Sequence, residues 1–238
     1  MNLALLGCDD VPERYRHIAG GYRDMFAALL QPHLPGMQLA WIDLYHGEAP
    51  PQADAFDGYL CTGSRCSVYE DRPWITSLKN FVREVQESRK PFIGVCFGHQ
   101  MLAEALGGKV DKAAQGWGVG VHDMDIVRPE NWMSPEQSHC KLQYMHADQV
   151  QRMPPHSTLL AAAEHCPVAM FRVGETMLGI EGHPEFPAAY VEALLRERRQ
   201  RIGDDVVAAA LDRMCERTDE KVAARWISNF LQAAATRA

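Results

Sequence analysis

A chain of 238 residues with 47% apolar and 23% charged content has the make-up of a globular protein able to bury a full core in one domain. Its formal net charge of −7 leaves no basic footprint for nucleic acid, and no apolar run approaches membrane-spanning length. Seven cysteines without paired spacing, and an N-terminus lacking the basic, apolar and small-residue order of a signal peptide, lead to an expectation of free thiols and a cytoplasmic location.

Residues 3–6 form an apolar run ending at Gly7 and read as the first strand. Residues 16–30 carry Ile18, Tyr22, Met25, Phe26 and Leu29 at helical spacing before Pro32 and Pro35 stop the helix. Residues 38–44 and 56–61 read as the second and third strands. Residues 74–88 read as an amphipathic helix with Ile75, Leu78, Phe81, Val82 and Val85 inward. Residues 92–95, behind Pro91, read as a buried strand, and after Gly98 a run of helix formers ends at Gly107-Gly108. Strand alternating with helix implies a parallel sheet covered on both faces, with reactive groups at the carboxyl ends of its strands.

Beyond residue 110 the rhythm changes. Residues 110–127, 141–145, 158–163, 168–173 and 177–180 read as strands and turns, best placed as antiparallel strands on the edge of a mixed sheet. Residues 128–138, with two prolines, read as a loop, and residues 187–201, 204–214 and 218–231 as helices. The expected architecture is an α/β three-layer sandwich, flavodoxin-like, with a mixed, mainly parallel central sheet. We expect a single domain over residues 1–238, about 1–190 forming its core and about 191–238 a helical tail.

Chemistry concentrates in two stretches. Gly94-Val95-Cys96-Phe97-Gly98 has the form of a nucleophile elbow with sulfur in place of oxygen, a sharp turn from strand to helix that projects its central side chain. A thiol there faces helix N–H groups and the positive end of the helix dipole, which favours thiolate. Taken alone, the elbow reads equally well as a buried core cysteine. In Gly182-His183-Pro184-Glu185, Pro184 holds His183 extended, so His183 and Glu185 share a face. A cysteine nucleophile needs a base, and the base needs a third group to fix its tautomer. Other patterns carry less. Gly116, Gly118 and Gly120 neither follow a clear strand nor open a helix, so they read as turn glycines rather than a dinucleotide loop. The pairs His139/Cys140 and His165/Cys166 lack zinc-ligand spacing, and no metal is expected. Arg196, Arg198, Arg199 and Arg201 read as a solvated last helical turn, and Val222, Trp226, Ile227, Phe230 and Leu231 as a core-facing stripe.

Together, Cys96-Phe97-Gly98-His99-Gln100 and Gly182-His183-Pro184-Glu185 resemble the class I glutamine amidotransferases, whose signature is a cysteine elbow followed by a downstream His-Pro-Glu. Three further segments match in order: Asp57-Gly58-Tyr59-Leu60-Cys61-Thr62-Gly63-Ser64, Leu106-Gly107-Gly108-Lys109-Val110 and Tyr144-Met145-His146-Ala147-Asp148-Gln149-Val150. The resemblance runs over about residues 1–190. It implies hydrolysis of a γ-glutamyl amide through a thioester, with Cys96 as nucleophile, His183 as base and then acid, and Glu185 orienting His183. It implies an oxyanion hole at the N–H groups of Gly63 and Phe97, with Thr62 and Ser64 standing where glycine and proline are common in the family. It places Gln100, Met145, His146, Ala147 and Asp148 around the glutamyl end.

The loop containing Arg65, Tyr69 and Glu70 resembles that of free-standing relatives similar to the glutamine domain of GMP synthase, some of which cleave γ-glutamyl peptides. It is expected beside the group beyond the γ-carbonyl. No cofactor is implied. The partners implied are a small γ-glutamyl substrate and, in a second branch, a separate synthetase receiving ammonia, since no phosphate loop occurs and the last residues are too few for a synthetase domain. A third branch is a non-catalytic or redox-sensing relative that uses the elbow thiol.

Overall fold

The computed structural model of the chain describes residues 1–236. Period-two alternation decides which side of the sheet each strand residue serves. In β1 (Asn2–Leu6), Leu3 and Leu5 enter one core and Ala4 and Leu6 the other, all four fully buried. A 3₁₀ turn (Glu13–Tyr15) leads into α1 (Arg16–Ala19) and α2 (Tyr22–Leu30). The single helix expected over residues 16–30 is therefore broken, because Gly20 adopts φ 74° and the Gly21 N–H turns to the Asp24 carboxylate at 2.8 Å. There follow β2 (Gln38–Ile42), β3 (Gly58–Cys61) and α3 (Pro73–Glu87), the last burying the five apolar residues read from its spacing. Proline at its first position fits, since a helix start has no use for that N–H. Next come β4 (Phe92–Val95), α4 (Phe97–Ala105), β5 (Lys109–Lys112), β6 (Gly118–Ile126), β7 (His139–His146), β8 (Asp148–Arg152), β9 (Ser157–Ala162), β10 (Met170–Val173) and β11 (Met177–Ile180).

Nine strands form one sheet in the order β2-β1-β3-β4-β11-β10-β9-β6-β7. The pairs from β2 to β11 are parallel and those from β11 to β7 antiparallel, giving the mixed, mainly parallel α/β sandwich. One expectation needs correcting. Residues 109–112 do not join the main sheet but pair with β8, a strand the sequence hides, in a separate two-stranded sheet.

The chain closes with α5 (Ala188–Glu197), α6 (Arg199–Ile202), α7 (Asp204–Asp212) and α8 (Glu220–Ala235). The helix expected over residues 187–201 is two helices, with Arg198 between them at φ −91°, ψ 9°. Trp226, Ile227, Phe230 and Leu231 of α8 lie in the same core as Leu3 and Leu5, and α8 packs on α2 and β7. Truncating a buried Trp226 to alanine would cost about 3–5 kcal/mol. No helix among the described residues is long and apolar enough to cross a membrane.

Candidate active site

β4 lies near the middle of the sheet, flanked by β3 and β11, and Cys96 stands at its carboxyl end. The residue adopts φ 50°, ψ −104°, a strained conformation for a side chain with a Cβ. Two glycines permit the turn. A Cβ at Gly94 would lie 2.2 Å from the Gly98 carbonyl, and one at Gly98 2.5 Å from the Cys61 carbonyl oxygen. The Cys96 N–H donates to the Ile180 carbonyl at 2.9 Å, tying the elbow to β11. Cys96 is 5% exposed. Burial, then the nearby Glu181 and Glu185 carboxyls, push its pKa well up, against a smaller opposing contribution from the Phe97 N–H. The thiolate expected from the helix terminus is thus outweighed, and the resting group is a thiol.

After β11 the chain stays extended, and His183 forms a bridge to β7 through its N–H to the Gln143 carbonyl at 2.7 Å. His183 Nδ1 lies 2.8 Å from Glu185 Oε1. A carboxylate only accepts, so Nδ1 carries the proton and Nε2 keeps its lone pair. The imidazole stacks on Phe186 at 3.9 Å with planes 4° apart, which fixes the ring from its face as Glu185 does from its edge. Glu181, one step earlier on the same alternating face, is fully buried beside Cys96 and accepts from Gln100 Nε2 at 2.9 Å. Burial pushes its pKa well up, against a smaller opposing contribution from the Gln100 hydrogen bond. Continuing the period-two reading back from His183 would have found it.

Gly63 closes the other side. A Cβ there would lie 2.8 Å from His183 Cε1 and 3.7 Å from Cys96 Cβ, so the space between the two side chains admits glycine alone. Its N–H has no hydrogen-bond partner among the described residues. Thr62 holds the loop, accepting from the Cys8 N–H at 3.0 Å and donating to the Gly63 carbonyl at 3.0 Å. Gln100 donates its amide to the Asp148 carbonyl as well as to Glu181, both at 2.9 Å. His146 Nδ1 donates to the same Asp148 carbonyl at 3.0 Å, and burial lowers its pKa to about 3, keeping the ring neutral. The Asp148 carboxylate accepts from Ser67 Oγ at 2.5 Å and Tyr69 Oη at 3.0 Å, which ties the loop after Gly63 to the start of β8. Tyr69 therefore stands at the rim as a support for Asp148. Arg65 is held by Asp9, through Nε at 2.8 and 3.0 Å and its backbone N–H at 2.8 Å. Glu70 accepts from the Ser67 N–H and Arg72 Nε at 2.8 and 2.6 Å.

Two recesses meet over Cys96. One is lined by Gln100, Met145, His146, Ala147 and Asp148 together with Lys112 and Arg201, the other by His183, Phe186, Tyr22 and Asp9, and Arg198 borders both. This divides the arginine cluster that the sequence presents as uniformly solvated. Arg196 pairs with Glu192 at 2.6 Å and Arg199 with Asp204 at 2.5 Å, whereas Arg198 and Arg201 turn to the site. Only their spacing of three along the chain hints at a shared face. Among the described residues, no group of three or more histidine, cysteine or acidic side chains is placed to hold a metal ion.

The chain matches the model of the family described as glutamine amidotransferase class-I over residues 41–193. It is similar to gamma-glutamyl peptidase 4 of Arabidopsis thaliana, 32% identical over 174 residues covering 70% of this chain and 68% of that one. It is also similar to the glutamine-hydrolyzing GMP synthase of Porphyromonas gingivalis, 27% identical over 192 residues covering 70% of this chain but 37% of the relative. Among solved structures, a glutamine amidotransferase from Thermotoga maritima shares the fold at TM-score 0.76 and 16% identity, covering 100% of this chain and 99% of that one.

Proposed function

The chain belongs to the class I glutamine amidotransferases, and on that premise we propose that it is a free-standing hydrolase of γ-glutamyl amides. The observation that carries this reading is the convergence of Cys96 and His183 on one recess, with Gly63 fitted between them too closely for any side chain. The substrate's γ-carbonyl sits over the sulfur. His183 Nε2 takes the thiol proton as the sulfur attacks, a transfer made necessary by the raised Cys96 pKa. Negative charge develops on the carbonyl oxygen and is met by the N–H groups of Gly63 and Phe97. The C–N bond then breaks, the imidazolium gives its proton to the departing nitrogen, and a γ-glutamyl thioester remains on Cys96. Water, deprotonated by His183, attacks that thioester. Glutamate leaves and the thiol regains its proton. Glu185 fixes the tautomer throughout.

In this reading Gln100 positions more than it binds. Both hydrogens of its amide are engaged, one with the Asp148 carbonyl and one with Glu181, so it sets the wall against which the glutamyl end rests. Asp148, Met145, Ala147 and His146 supply that wall. The likeness to gamma-glutamyl peptidases over most of their length supports self-sufficient hydrolysis. The likeness to GMP synthase supports a second reading, a glutaminase subunit that passes ammonia to a separate synthetase. Activity in isolation separates them. The purified chain, given glutamine and a panel of γ-glutamyl compounds, should release glutamate unaided. Inertness towards the whole panel, relieved by a co-purifying synthetase, would overturn the hydrolase reading.

A further inference from the structure

Resting on that hydrolase reading, we propose that Arg198 receives a carboxylate on the departing amine, so that the preferred substrates are γ-glutamyl amino acids or peptides rather than glutamine. The side of the site on which the amine departs follows from proton chemistry. The acid that protonates the leaving nitrogen must face it, so the amine occupies the recess lined by His183, Phe186, Tyr22 and Asp9. The glutamyl group then fills the recess of Gln100 and Asp148. That recess has cations of its own for the α-carboxylate, Lys112 and Arg201, the latter laid over the Trp117 ring at 5.1 Å.

The acid that lines the amine's recess is already matched: Asp9 holds Arg65 through both oxygens. Arg198 is not matched. It is half-buried, and among the described residues it makes no hydrogen bond or ion pair through its side chain, although Arg196 and Arg199 beside it both do. It borders both recesses over Cys96. A partly desolvated guanidinium facing this recess suits a planar anion that can accept two parallel N–H bonds, which is the geometry of a carboxylate. Ammonia, the amine released from glutamine, carries nothing that reaches it.

The test compares γ-glutamylglycine with γ-glutamylglycinamide, which differ only in the charge on the departing amine. The wild-type chain should favour the carboxylate form by about ten- to a hundredfold in kcat/KM, the range of one charge-assisted hydrogen-bonded pair. Arg198→Gln should bring that ratio near one, Arg198→Lys should keep part of it, and Arg198→Glu should invert it. Because the readout is a ratio within one protein sample, partial loss of folded protein cancels. A wild-type ratio near one, or a ratio that Arg198→Gln leaves unchanged while both rates fall, would overturn the assignment of Arg198. Steady hydrolysis of both dipeptides at a ratio of one removes only Arg198 and leaves the hydrolase reading standing. Release of glutamate from neither dipeptide removes both.

Discussion

The floor and the rim of the site are built on opposite principles. On the floor, Cys96, Glu181, His183, Glu185 and Gln100 are each 5% exposed or less, and Glu181 with Gln100 and His183 with Glu185 are joined by hydrogen bonds. On the rim, Lys112, Arg198 and Arg201 are half-buried or exposed and hold no acid among the described residues. A floor so enclosed tolerates almost no change of shape or charge, because every group left unpaired there pays the full cost of desolvation. A rim of unpaired cations can change with little effect on the fold, and its energy is realised only when an anion arrives. On the proposed function, the chemistry belongs to the first region, and selection among amides to the second.

Changes to the floor should therefore act on kcat and do so alike for every γ-glutamyl substrate. Cys96→Ala should lower turnover of any of them by at least about 10⁴-fold, measured as glutamate release, since no second nucleophile lines the recess with the same geometry. Gly63→Ala should cost about 10²–10³-fold in kcat, because its methyl group must displace His183 or swing the loop's N–H away from the oxyanion. Near-normal turnover in that variant would break the claim that the loop is fitted to the histidine. Glu185→Gln should cost about a hundredfold or more, with KM changing far less.

Much of the floor was legible in the sequence, and the reason is local. The elbow needs glycines at fixed offsets from its nucleophile, and His183 and Glu185 need only the alternation of an extended chain, so both can be seen within a few residues. The buried stripe of α3 and the apolar run of β1 were visible for the same reason. What escaped was set by distance or by weak patterning. β8 has a single aliphatic residue, Val150, in Asp148-Gln149-Val150-Gln151-Arg152, and exists because β5 offers it an edge. The break at Gly20-Gly21 interrupts an apolar stripe that by itself runs on unbroken. Arg198 reaches the site because α5 packs on β6 and β7, which its neighbours in sequence do not reveal. The state of Cys96 also escaped, because the helix terminus is visible in the sequence whereas burial beside Glu181 and Glu185 is tertiary.

The smallest effect sharpens the same contrast through stability rather than rate. His99 and His146 are 0% and 4% exposed, and burial lowers both to about 3 from an ordinary value of 6.5. Their folded values lie below their unfolded ones, so the unfolded chain takes up protons first as the pH falls. Stability is therefore complete above about pH 6.5 and declines between there and about pH 3, by about 1.4 kcal/mol per pH unit for each histidine. Urea unfolding at a series of pH values should show this slope, and His146→Gln should reduce it by roughly one histidine's share. A slope that the substitution leaves unchanged would mean that His146 takes up its proton without unfolding.

The central claim is that the elbow sulfur carries the γ-glutamyl group. Rapid acid quenching of the purified chain during turnover of γ-glutamylglycine, followed by peptide mass spectrometry, tests it directly. The account predicts a mass increase of one γ-glutamyl group on the peptide containing Cys96, labile to hydroxylamine as a thioester is, and absent from Cys96→Ala. Sustained glutamate release by Cys96→Ala, or a γ-glutamyl group found on a different residue, would contradict it.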